Sequence, residues 1–86
     1  MGLSIKPNLS TQQIDDELVI LDKGTGQIHQ LNLVASHIWQ QLVEGADFET
    51  ILQSLVQLYE IDKQTAKEDL DKVLKQFQEL ELINEN

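Results

Sequence analysis

The tightest constraint on the fold is a six-residue stretch, Gln27-Ile28-His29-Gln30-Leu31-Asn32. Its alternation puts His29 and Leu31 on one face and Ile28 and Gln30 on the other, as a half-buried strand requires. Immediately after it the period changes. Leu33 or Val34, Ala35, Ile38, Trp39, Leu42 and Val43 recur at helical spacing. Asn32 stands at the change, with a side-chain oxygen able to accept from the free amides of a first helical turn. Strand and helix must therefore meet at Asn32, and the rest of the chain has to supply partners for both.

Upstream, Glu17-Leu18-Val19-Ile20-Leu21-Asp22 is an unbroken apolar run of four bounded by acids, which predicts a strand. Lys23-Gly24-Thr25-Gly26 follows, and its two glycines can take positive φ, so the two strands read as a hairpin. Ser10 to Asp15 is assigned as the strand before them, and residues 1–8 as a loose N-terminal arm or a lead into a first strand. In such a meander Gln27 to Leu31 is an edge, and it carries none of the usual guards, Lys, Pro or bulge.

Downstream, Gly45 is placed to end the first helix as a C′ residue, and Asp47 to cap a second that presents Phe48, Ile51, Leu52, Leu55, Val56 and Tyr59. A third helix is predicted from Asp62 or Thr65 to about Leu80, with Thr65 and Glu68 at capping-box spacing. Leu82 and Ile83 should fold back on the core. The 86 residues thus read as one α+β domain, a small winged-helix-like unit with a three-stranded antiparallel meander followed by three helices.

Charge and composition remove several functions. Fifteen acids against six lysines, with no arginine, give a net charge of −9. Nucleic-acid binding draws on a basic surface, so this balance argues against it. There is no cysteine, which excludes a thiol nucleophile, a thiolate metal site and a disulfide frame together. His29 and His37 are the only histidines and have no second pair of donors spaced near them, so no metal site is expected. Asp15-Asp16-Glu17 lacks the spacing of a calcium loop. No nucleophile elbow or phosphate-cradling glycine run occurs, so no catalytic residue is assigned and the chain reads as a non-enzyme without a cofactor. No stretch approaches the length of a membrane span or signal peptide, and a cytoplasmic protein is expected.

On the third helix, Ala66, Leu70, Val73, Phe77 and Leu80 fall within one arc that can face the core. Leu74 lies on the flank of that arc at about 100° per residue, between Lys63 and Lys67, with Asp71 and Gln78 beside it. An apolar residue edged by lysines next to an open strand suits an extended peptide. The peptide backbone would pair with Gln27, Ile28, His29, Gln30 and Leu31, and its apolar side chains would enter a gap between Ile28 and the flank formed by Leu70 and Leu74. The same spacing also fits a widened core stripe beside a solvated face.

Leu31-Asn32, Ala35, Ile38-Trp39 and Glu44-Gly45, then Ile51, Leu55, Tyr59, Asp69, Leu74, Phe77, Leu80 and Leu82-Ile83, together resemble the PqqD-like family over Glu17 to Ile83. The resemblance rests on spacing held over that length; no single motif is sharp, and Leu33 and Val34 depart from the acidic or small polar residue common after the Asn. The glycine turn at Asp22 to Gly26 is similar to the broader family rather than to its pyrroloquinoline-quinone branch. The resemblance implies a stand-alone recognition element for ribosomally synthesised precursor peptides. Its partners would be a precursor leader peptide and a modifying enzyme, either a leader peptidase with its cyclase, as in lasso-peptide assembly, or a radical S-adenosylmethionine enzyme. The alternative is a winged-helix DNA-binding regulator, favoured by Lys63, Lys67, Lys72 and Lys75 on one helix and opposed by the charge.

Overall fold

The structure, a computed structural model, describes residues 3–85. Its elements run β1 (Leu3–Ile5), β2 (Leu9–Ile14), β3 (Glu17–Asp22), β4 (Ile28–Leu31), α1 (Leu33–Val43), α2 (Phe48–Tyr59), α3 (Lys63–Glu79) and β5 (Ile83–Glu85). The order β2-β3-β4 forms an antiparallel sheet, and β1 pairs with β5 in a separate two-stranded one. The expected meander and three helices are present in the expected order.

The stretch expected as a loose arm is a correction. Its described part contains β1, with Ser4 opposite Asn84 and Ile5 opposite Ile83, while residues 1 and 2 lie outside the described residues. Three-residue strands are too short to show alternation, and among the described residues each pairs with a strand at the other end of the chain. The Lys6 amide donates to the Leu82 carbonyl at 2.9 Å, continuing this contact.

The β3–β4 turn is organised by a residue that propensity alone does not single out. Asp22 is buried, and its carboxylate accepts from Lys6 Nζ at 2.7 Å, the Gly24 amide at 2.9 Å and the Thr25 amide at 3.3 Å. Of the two glycines expected at positive φ, only Gly26 takes it, at +78°. At Gly24 an added Cβ would come within 3.3 Å of Asp22 Oδ1, so the small residue serves close approach instead.

Each helix begins on an Asx cap. Asn32 accepts from the Ala35 amide at 2.8 Å, Asp47 from Thr50 at 2.8 Å and Asp62 from Thr65 at 2.7 Å, so α3 starts after Asp62 and not at Thr65. Helix α1 closes with Gly45 at φ +87°, where the Gly45 amide donates to Leu42 and the Ala46 amide to Gln41, the paired bonds of a Schellman end.

The core lies between the inner face of the sheet and the three helices. Leu18, Ile20, Leu31, Ile38, Trp39, Ile51, Leu55, Leu70, Phe77, Leu82 and Ile83 are all buried there. Trp39 meets Phe77 edge to face at 5.4 Å between ring centres. Leu82 and Ile83 fold back as expected, and that displaces Leu80. Leu80, expected in the core arc, is 43% exposed. The helix ends at Glu79, so the arc no longer holds at Leu80, and Leu82 fills the space below Phe77's turn, its amide bonded to the Phe77 carbonyl at 2.9 Å.

Candidate functional site

Strand β4 has one hydrogen-bonded neighbour, β3, so its other edge is open among the described residues. The phase of the ladder fixes which groups point outward. The Asp22 amide donates to the Gln27 carbonyl at 2.8 Å, which makes that pair a hydrogen-bonded one. Pairs alternate along an antiparallel ladder, so Ile20–His29 is bonded, while Leu21–Ile28 and Val19–Gln30 are not. The backbone N–H and C=O of Ile28 and Gln30 therefore face the open edge, available to another strand.

Helix α1 is held over this strand by a polar pin. Ser36, 4% exposed on an otherwise apolar face, accepts from the Leu18 amide at 2.9 Å and donates to the Leu31 carbonyl at 3.1 Å. It bridges the last register pair of β3 and β4, and two buried backbone groups find their partner in it. A small polar residue between Ala35 and Ile38 was the signal available in the sequence.

Beside the end of β4 lies a groove of about 310 Å³, lined by Gln30, Leu31, Asn32 and Ala35 on one side and Gln76, Phe77, Glu79 and Leu80 on the other. Its floor is apolar and its rim carries amides and a carboxylate.

The residues proposed from sequence are distributed unevenly around it. Gln27 lies in the turn before β4. Ile28 is 68% exposed on the outer face, His29 points inward half-buried, Gln30 is exposed, and Leu31 forms part of the groove floor. Gln30 Nε2 also donates to Glu17 Oε1 at 2.7 Å.

On α3 the picture differs. Leu70 is 0% exposed and belongs to the core, which corrects its assignment as a contact residue. Lys63 lies 3.4 Å from Glu49 of α2. Leu74, eleven residues on and thus within about 20° of the same row, is half-buried against the core. Lys67, Asp71 and Gln78 are exposed on that side. Gln76 and Leu80, on the opposite side of Phe77, line the groove instead. The helical phase allowed either flank, and assigning Leu80 to the core hid the second one.

Three carboxylates titrate below their ordinary range. Asp22 is lowered chiefly by the hydrogen bond from Lys6, Asp47 by the Thr50 hydroxyl and amide, and Asp62 by the Thr65 hydroxyl and amide. All three are structural caps or turn anchors, remote from the groove lining. Among the described residues no group of three or more His, Asp or Glu converges to hold a metal.

Solved structures share this fold. The structure of TbiB1 in complex with the TbiA(beta) leader peptide matches with a TM-score of 0.89 and 32% identity, over 96% of this chain and 96% of that one. Lasso peptide synthetase B1 complexed with the leader peptide matches with a TM-score of 0.89 and 27% identity, over 99% and 100%. No curated protein matches significantly. The family described as coenzyme PQQ synthesis protein D (PqqD) matches residues 17–83. With that match spanning most of its length, the chain belongs to the PqqD family.

Proposed function

We propose that this protein binds the leader of a ribosomally made precursor peptide and presents the precursor to a modifying enzyme or leader peptidase, without chemistry of its own. The observation that carries the reading is the open edge of β4 above an apolar groove, in a fold whose solved relatives are complexes with leader peptides. The leader adds as a strand, bonding to the backbone of Ile28 and Gln30, and its alternate side chains enter the groove. Ordering a flexible peptide costs about 2–5 kcal/mol, so the backbone bonds need apolar anchors on Leu31, Phe77 and Leu80. Lasso-peptide assembly is the favoured setting, with a leader peptidase as the enzyme served. The cytoplasm, where ribosomal products begin, is the matching compartment; among the described residues no helix is long and apolar enough to cross a membrane.

The regulator alternative has weak support. Lys63 is engaged with Glu49, and Glu68, Asp69 and Asp71 interrupt the remaining lysines. The test is a titration with the cognate leader followed by amide resonances, with duplex DNA in parallel at several salt concentrations. Shifts and amide protection concentrated on β4 and α3, with no salt-steep DNA binding, are expected. Changes confined to α2, or cleavage of the precursor by the chain alone, would overturn the reading.

A further inference from the structure

The groove joins an apolar floor to an acid that has nothing to bind. Glu79 lines it, and its carboxylate takes part in no ion pair or hydrogen bond among the described residues. It is also the last residue of α3, where the helix dipole disfavours an anion and no basic residue of the last turn offsets it. Glu44 and Glu60 stand one position further on, as the C-caps of α1 and α2, but of the three only Glu79 lines the groove. Around it stand the amides of Gln30, Asn32 and Gln76, and beyond Gln30 the Glu17 carboxylate that it bonds. Of the lysines of α3, Lys63 and Lys67 lie on the α2 side, while Lys72 and Lys75 lie on the Glu79 side of the helix and form no ion pair with it among the described residues.

Resting on the peptide-binding reading above, we infer that the groove selects a lysine or arginine in the bound strand. Its alkyl stem lies on Leu31, Phe77 and Leu80, and its charged head reaches the Glu79 carboxylate. Long basic side chains cover apolar surface in this way while keeping the head in water. A cavity of about 310 Å³ accommodates such a stem. The charge of the whole molecule, −9, favours the approach of a cationic segment. An acidic side chain at the same position would meet Glu79 across an apolar floor, and the groove rejects it.

The experiment selects random twelve-residue peptides displayed on phage, once on the wild-type chain and once on Glu79→Lys. Glu79→Lys is compatible with the fold, because it puts a cation at a helix C-terminus, and a thermal melt checks it. Clones are retained when Ile28→Pro no longer binds them. Proline there removes an amide that faces the open edge and leaves the bonds to β3 in place.

Wild-type clones are expected to share a Lys or Arg at one position, and Glu79→Lys clones to carry an acidic or neutral residue there. Wild-type clones should bind Glu79→Gln about 2–5-fold more weakly and Glu79→Lys about 5–20-fold more weakly, with both differences shrinking at high salt. If both pools carry the same apolar residue at that position, the inference is overturned and the peptide-binding reading stands. If no clone is sensitive to Ile28→Pro, that reading falls and takes the inference with it.

Discussion

Leu74 lies on α3 roughly 60° to one side of Phe77 at 100° per residue, and the same pitch carried one residue past the helix end would put Leu80, the C-cap, an equal angle to the other side. One is half-buried against the core, in the row whose N-terminal member Lys63 meets α2; the other is 43% exposed above a groove. The helix itself does not distinguish them. What differs is the opposing element: α2 runs along one flank, while the other faces the end of an edge strand that no further strand covers. A stripe on a helix thus reports where apolar surface lies, and only tertiary neighbours decide which part remains open for a partner.

The largest effect removes what both flanks share. Phe77→Ala should cost roughly 3–5 kcal/mol by opening a cavity under Trp39, seen as a large drop in melting temperature and loss of leader binding. Next, Leu80→Asp should leave the melt close to wild type yet weaken leader binding by about 30-fold, equivalent to about 2 kcal/mol, because it places a carboxylate in the apolar groove. Leu74→Asp should do the reverse, losing about 1–2 kcal/mol of stability while the folded fraction binds normally. Binding lost with Leu74→Asp and kept with Leu80→Asp would invert the comparison.

Acid should act from the α2 side. The folded pKa values of Asp22, Asp47 and Asp62 are depressed, so the stability they contribute is fully present above the ordinary carboxylate pKa near 3.9 and is lost as pH falls through the lower folded values. Two of the three cap α2 and α3 at the end where Lys63 meets Glu49. Melting temperature should therefore be flat from pH 7 to about 5 and fall below about 4, with a shallower fall in Asp62→Asn. The smallest effect is Lys67→Glu, an exposed change on the α2 side, expected to alter stability and leader affinity by less than about 0.5 kcal/mol. A larger loss of affinity would return that flank to the binding surface.

The sequence disclosed the elements that carry their own period. Asn32, Asp47 and Asp62 were legible as caps because an Asx residue before a helical stripe has few other uses, and β3 and β4 because alternation or an apolar run marked them. Strand β1 escaped notice since three residues carry no period, and β5 since Leu82 and Ile83 read only as an apolar end. The open edge of β4 was legible as well, because it follows from a three-strand meander, whereas the groove lined by Gln76 and Leu80 was not, because it depends on where the end of α3 comes to lie beside β4. Ser36 and Asp22 were opaque for a related reason, because folding brings the backbone of Leu18 and Leu31 to the first and the Lys6 ammonium to the second.

The pairing of β1 with β5 also sets an order of events. Ser4 and Asn84 are about 80 positions apart, against seven for Leu21 and Ile28 in the β3–β4 hairpin. Closing the larger loop costs about 2 kcal/mol more chain entropy, some 0.6 for each doubling. The hairpin and the three capped helices can form on local contacts, and the terminal pair then closes over a core already assembled. Hydrogen exchange should find the reverse order on opening: the amides of Ser4 to Lys6 and Ile83 to Asn84 exchange first, ahead of those in β3, while the β3–β4 pairing stays intact.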